Sequence, residues 1–224
     1  MQACEKALDE AGVRREGIPH TVAVTCTNQG NPGYDLQFHE KLGLNHTFDR
    51  TLLQGVGCAG GLAIMRAAAQ MALAATARGK PARILAFACE LCTLNVRGEL
   101  AAAERSIAAD VSIAGALFSD GAAAFVLSNE LGREEREAEF QLVALDNAVV
   151  PDTSEHVSFH VDPLGKWHSQ KCLFGSWTDV KLPGGRTVLS RHAPSLARKA
   201  TYSMFHSLVS EYSSNLGINV LRPE

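Results

Sequence analysis

The spacing of apolar positions changes several times along this chain of 224 residues, and each change predicts an element. Ala3, Ala7, Leu8 and Ala11 recur at steps of three and four, which predicts a helix over residues 2–12 ended by Gly12. Residues 21–27, TVAVTCT, are β-branched or apolar with little alternation, as a strand buried on both faces would be. A tight loop, Asn28-Gln29-Gly30-Asn31-Pro32-Gly33, follows that strand's C-terminal end, where open α/β sheets bind ligands. A short helix over 36–42 ends at Gly43, and 50–53 is a short extended entry to what comes next.

The stretch 52–65, LLQGVGCAGGLAIM, organises the rest. It passes from an apolar run through Gly55, Gly57, Gly60 and Gly61 into an Ala-rich helix predicted over 62–77. Cys58 sits at the joint. The positive end of a helix dipole and its unpaired backbone N–H groups suit a sulfur nucleophile and a developing oxyanion. The local pattern leaves two other readings open. One is a buried structural cysteine. The other is a dinucleotide loop, because Gly55 to Gly60 has the G-x-G-x-x-G spacing. Such a loop wants an acid about 20 residues later for the ribose; the next acid here is Glu90.

Beyond the joint, 83–89 is predicted as a second central strand, so strand, helix, strand implies a right-handed parallel crossover. A helix over 100–107, strands over 122–127 and 141–149, an irregular stretch over 152–185 and a helix over 195–212 complete the reading. The charged run at 133–137 is expected to be solvated.

Composition narrows the function classes. The chain is 46% hydrophobic and 20% charged with a formal net charge of -3, so nothing marks it for nucleic acid. No uninterrupted apolar run approaches membrane-spanning length, and no signal-peptide layout opens the chain. Six cysteines without a secretory start are expected to be reduced thiols in a cytoplasmic protein. Cys89-x-x-Cys92 lacks the second ligand pair of a structural zinc site, so no metal is expected.

Four pieces together resemble the type III polyketide synthases, the chalcone and stilbene synthase family of the thiolase superfamily. They are TVAVTCTNQGNPGYDLQFHEKLGL (21–44), LLQGVGCAGGLAIMRAA (52–68), ARILAFACELCTLNVRGE (82–99) and AGALFSDGAAAFVL (114–127). The CTNQGNPGYD wording is similar to fungal members. The resemblance implies an α/β thiolase-like fold, α-β-α layered with a mixed, mostly parallel sheet, incomplete at both ends. It also implies an acyltransferase in which Cys58 accepts an acyl starter from an acyl-CoA and malonyl-CoA supplies the extending enolate by decarboxylation. Phe118 matches an aromatic at the mouth of the family's cavity, with a plain core Phe as the alternative; Asn28, Asn95 and Val188 fall where the family lines that cavity, and Glu90 matches a buried supporting acid. CoA thioesters would be substrates, no cofactor would be needed, and a homodimer is expected.

The sequence departs from the family in three places. The portion carrying basic residues for the CoA phosphates is not in this sequence. Nor is any HPGG-like or GNM-like motif, whose histidine and asparagine polarise the thioester and stabilise the enolate in the family. Third, residues 166–184 interrupt a familiar hairpin with a long insertion, and long loops without structure are uncommon in compact domains. Gly165-Lys166-Trp167 can be encoded with an intron start, so retained intron sequence is one expectation here and a genuine surface loop the alternative; a transcript that keeps these codons in mature message would sink the first.

The expected organisation is therefore residues 1–150 as most of an N-terminal thiolase-like domain, 151–185 as an irregular connection, and 186–224 as the start of a truncated C-terminal domain. Such a fragment is expected to be inactive or impaired by itself. The alternatives are a β-ketoacyl-carrier-protein synthase III-like condensing enzyme and a non-catalytic acyl-CoA-binding fragment.

Overall fold

A computed structural model of the chain describes residues 1–45, 48–95, 117–133, 137–153, 156–162, 168–171, 177–180, 184–189 and 192–216. The chain divides into two compact units, Met1–Leu91 with Ser119–Leu142, and Cys92–Phe118 with Val143–Glu224. This division does not follow consecutive stretches of sequence.

The first unit is built on a four-stranded sheet, β1 (His20–Thr25), β2 (Asp49–Gln54), β3 (Arg83–Glu90) and β4 (Gly121–Ser128), in the order β2-β1-β3-β4. β1 pairs in parallel with both β2 and β3, and β4 runs antiparallel to β3. Helices α1 (Gln2–Ala11), α2 (Tyr34–Leu42) and α3 (Gly60–Ala77) cover the two faces. The central strands β1 and β3 are mostly buried and largely apolar because successive side chains leave on opposite faces and both faces are covered. Val22, Val24, Ile84 and Ala86 pack with Ile64, Ala68, Ala72 and Ala75 of α3. Ala23, Leu85 and Phe87 point the other way, onto Cys4 and Leu8 of α1 and Leu42 of α2. The result is a three-layer α/β unit with a mostly parallel sheet, as expected.

α3 begins two residues earlier than its periodicity predicts, at Gly60. The segment Gly57–Ala77 is long and apolar enough to cross a bilayer by length and composition. Its buried residues, however, recur every three or four positions along one face, which lies on the sheet as that of a core helix does.

Two expectations need correction. No residue of 137–153 is in a strand, although 141–149 was expected to form one; Val143 and Val149 are exposed, and apolar composition without a ladder partner makes no strand. The stretch 152–185 is not wholly irregular. In the second unit β5 (Val157–Asp162) pairs antiparallel with β8 (Gly184–Leu189), with Asp162 opposite Gly184. Between them β6 (His168–Lys171) pairs antiparallel with β7 (Trp177–Val180), inside the 166–184 insertion. Val157, Phe159 and Val161 alternate with Ser158, His160 and Asp162, a period-two signal that the surrounding Gly and Trp residues obscure. The last helix, α4, spans Ala193–Leu216. The helix expected over 100–107 and most of the charged run at 133–137 lie outside the described residues.

Candidate active site

The C-terminal ends of β2, β1 and β3 lie side by side, since Thr25 is level with Gln54 and Val24 with Ala88. Each strand end delivers one expected site residue to this rim: Cys58 follows β2, Asn28 follows β1, and Glu90 closes β3. Parallel strands do this by construction, because every crossover returns the chain to the same end.

Cys58 is exposed, which removes the buried-cysteine reading. It lies in a 3₁₀ turn, Gly57–Ala59, that runs directly into α3. Gly55 and Gly57 have φ of 75° and 66°, a left-handed backbone that side chains disfavour, so these two glycines turn the chain sharply out of β2. Gly60 serves close approach instead: a Cβ there would meet Val24 Cγ2 at 3.0 Å. Gly61 has no such neighbour within 4 Å. The motif thus seats the first turn of α3 against β1 and leaves the cysteine outside.

Two other thiols are less accessible than Cys58. Burial pushes the Cys4 thiol up to about 11, and burial likewise raises Cys89. Both are held as neutral thiols at neutral pH, unsuited to nucleophilic attack.

Glu90 is half-buried rather than buried, and it clamps the end of β1. Its carboxylate accepts from the Cys26 backbone N–H at 2.9 and 3.1 Å, the Thr25 hydroxyl at 3.2 Å and the Cys26 thiol at 3.4 Å. Thr27 Oγ1 in turn accepts from the Leu91 N–H at 3.0 Å. These contacts fix the Asn28 loop relative to β3, a supporting role; charge-assisted hydrogen bonds are the stronger kind. Asn28 is exposed and its Oδ1 accepts from the Gly30 N–H at 2.9 Å, which shapes the loop. Tyr34 and Gln54 were missed by sequence reasoning. The Tyr34 hydroxyl donates to the Val24 carbonyl at 3.0 Å, and Gln54 Nε2 donates to Gln29 Oε1, stapling the loop to both β1 and the end of β2. An aromatic after a Pro-Gly turn was the available signal.

The other three expected residues belong to the second unit. Asn95 ends a 3₁₀ turn, Cys92–Asn95, that packs against β8, which carries Val188 opposite Ser158. The structure brings these two elements together. Phe118 is exposed, so it is no core residue. In the same unit His156-x-x-x-His160 has a spacing that can chelate a metal on a helix, but His160 lies in β5, where four extended residues separate the two by about 13 Å.

Residues 1–130 match the family described as chalcone and stilbene synthases, N-terminal domain. Over 218 residues the chain is 51% identical to a type III polyketide synthase of Penicillium soppii, covering 96% of this chain and 50% of that protein. It is 36% identical over 197 residues to an acylalkylpyrone synthase of Aspergillus oryzae, covering 87% of this chain and 49% of the relative. Among solved structures, a type III pentaketide synthase from Neurospora crassa superposes with a TM-score of 0.80 at 37% identity, over 95% of this chain and 51% of its own. The chain therefore spans about half the length of the curated relatives it matches.

Proposed function

Because this chain belongs to the chalcone and stilbene synthase family, we propose that it carries the acyl-accepting cysteine of a type III polyketide synthase. Cys58 attacks the carbonyl of an acyl-CoA, the C–S bond to CoA breaks, and CoA leaves as its thiolate. Malonyl-CoA then loses carbon dioxide, and the electron pair of the broken C–C bond becomes an enolate. The enolate carbon attacks the Cys58 thioester, forms the new C–C bond and expels the Cys58 sulfur. No metal or redox group enters this sequence of steps. The observation that supports it is the exposed position of Cys58 in the 3₁₀ turn that opens α3, at the positive end of that helix.

Glu90 acts as a positioning residue for the β1 end, Asn28 shapes the loop at the Cys58 rim, and Asn95, Phe118 and Val188 are carried over from the resemblance as contacts of the acyl chain. The intact protein works as a homodimer in the cytoplasm. The relatives' full length is about twice that covered here, and this sequence holds no HPGG-like or GNM-like motif. This favours a second reading for the chain as it stands, a form that loads an acyl group but condenses poorly, because losing an electrostatic partner costs orders of magnitude in rate.

Incubation with radiolabelled acyl-CoA tests both. Label on the Cys58 peptide, absent from Cys58→Ala, is the expected result. Label that survives Cys58→Ala overturns the nucleophile assignment. Label without product after malonyl-CoA is added identifies the loading-only form, and an extended acyl product identifies the full synthase.

A further inference from the structure

Three side chains on one face of β2 meet the segment 28–35 in succession. Arg50, Leu52 and Gln54 lie two residues apart, so they leave the strand on the same side, towards α2, while Leu53 packs on the α3 side. Arg50 holds Asp35 through Nε at 2.7 Å. Leu52 lies beneath Gly33, where an added Cβ would be 2.6 Å from its Cδ2. Gln54 ends the row, its Nε2 donating to Gln29 Oε1. Gln29 is itself anchored: its carbonyl accepts from the Tyr34 N–H at 2.7 Å, and the Tyr34 hydroxyl is fixed to β1.

Gln54 is also the last ladder residue of β2, opposite Thr25. Cys58 follows four residues on, so its Cα lies within about 14 Å by chain length alone. Gly55 and Gly57 stand between them with φ of 75° and 66°, and glycine leaves a backbone its widest freedom. A segment of that kind is held at its ends. The far end is seated where Gly60 approaches Val24. The near end is held by the ladder and by the Gln54 side chain, which is exposed yet engaged with a residue 25 positions away in sequence.

We propose that Gln54 is a positioning residue for acyl transfer to Cys58, with Gln29 as its anchor. The inference rests on the reading of Cys58 as the acyl acceptor. Gln54 touches no reacting atom; it fixes the strand end from which the glycine turn departs, and so the spacing between the Cys58 sulfur and the Asn28 loop. An acyl-CoA carbonyl bound at this rim then meets the sulfur at attack distance. Loss of the anchor lets the turn pivot about its Gly60 seat, and misplacement of a nucleophile costs rate rather than binding.

Single-turnover labelling of the full chain over a range of radiolabelled acyl-CoA concentrations tests the proposal, since it yields a maximal rate and a half-saturating concentration. Gln54→Ala should lower the maximal rate about three- to tenfold, the worth of one hydrogen bond, with the half-saturating concentration and the urea midpoint unchanged. Gln29→Ala should do the same, and the double variant should be no slower than either, because the two act as one pair. Gln54→Glu should restore most of the rate, since the Gln29 amide can turn to present its N–H to a carboxylate. A parent-like rate in Gln54→Ala overturns the proposal. So do losses that add in the double variant, or a change confined to the half-saturating concentration. Should Gln54→Ala lower the urea midpoint, Gln29→Ala decides in its place. Absence of label on the parent overturns the acyl-acceptor reading instead. The same variants are then compared by iodoacetamide alkylation of the Cys58 peptide, which needs no CoA, and equal alkylation rates in Gln54→Ala and the parent sink the positioning role as well.

Discussion

Arg50 reaches from β2 to grip Asp35 in the first turn of α2, with Nε 2.7 Å from one carboxylate oxygen and Nη2 2.9 Å from the other. The Asp35 side chain is 1% exposed and that of Arg50 is 36% exposed. The pair is therefore asymmetric: one charge is fully desolvated and the other keeps contact with water. Removing the arginine should cost far more than removing the acid, because it strands a buried carboxylate. Arg50→Met is expected to lose about 3 kcal/mol in urea unfolding, Asp35→Asn less than half of that, and the double variant to recover most of the loss. Equal losses in the two single variants would contradict the asymmetry.

His39 gives the fold a pH dependence. Its Nε2 lies 2.8 Å from the Thr21 hydroxyl, its ring stacks on Phe48 at 3.5 Å between centroids, and it is 5% exposed. Burial lowers its pKa from 6.5 to about 4, with the nearby Arg50 lowering it further and Asp35 opposing. The folded form therefore binds a proton less readily than the unfolded form. Stability should be flat above pH 6.5 and fall as the pH drops from about 6.5 towards 4, by on the order of 3 kcal/mol if His39 acted alone. Urea titrations across that window, repeated on His39→Gln, should show the slope disappear with the imidazole.

Asn129 ties three segments with one side chain. Its Oδ1 accepts from the Ala82 N–H at 2.9 Å and the Gly132 N–H at 2.8 Å. Its Nδ2 donates to Thr76 Oγ1 at 3.0 Å and to the Lys80 carbonyl at 2.9 Å. The end of α3, the start of β3 and the turn after β4 thus share one hub. Asn129→Ala should destabilise by about 2–4 kcal/mol in urea unfolding, from four contacts of modest net worth each. Asn129→Asp, which keeps the acceptor and loses the donor, should fall between the variant and the parent.

How much of this was legible beforehand follows from the physics of each signal. β1 and β3 could be read because strands covered on both faces show continuous apolar runs, and Gly12 and Gly43 ended helices where a left-handed residue was needed. Cys58 stood out through local glycine spacing and the resemblance of the flanking pieces. Asn129 and Arg50 could not be found that way. Their partners lie far away in sequence, 47 residues from Asn129 to Ala82 and 15 from Arg50 to Asp35, and an isolated Asn or Arg carries no periodic signal. The strand expected over 141–149 failed for the complementary reason: composition reports strand compatibility, while a strand also needs a partner edge.

The two adjacent glycines that open α3 should behave oppositely. An added Cβ at Gly60 would lie 3.0 and 3.3 Å from the two methyl groups of Val24, a β-branched residue 1% exposed whose rotamer is fixed by the core around it. The helix start must then lift away from β1, at a cost of about 1–3 kcal/mol from overpacking, against at most about 1 kcal/mol gained in helix propensity. At Gly61 a Cβ meets nothing within 4 Å and the backbone is already helical, so only the propensity gain remains. Gly61→Ala should therefore raise stability by up to about 1 kcal/mol, and Gly60→Ala should lower it. Because Cys58 leads directly into this turn, Gly60→Ala should also change the rate at which iodoacetamide or acyl-CoA modifies that thiol, while Gly61→Ala leaves it unaltered. Unfolding curves and thiol-modification rates measured on the two variants side by side decide it; a Gly60→Ala protein as stable and as reactive as the parent would show that the close approach of α3 to β1 does not hold the cysteine in place.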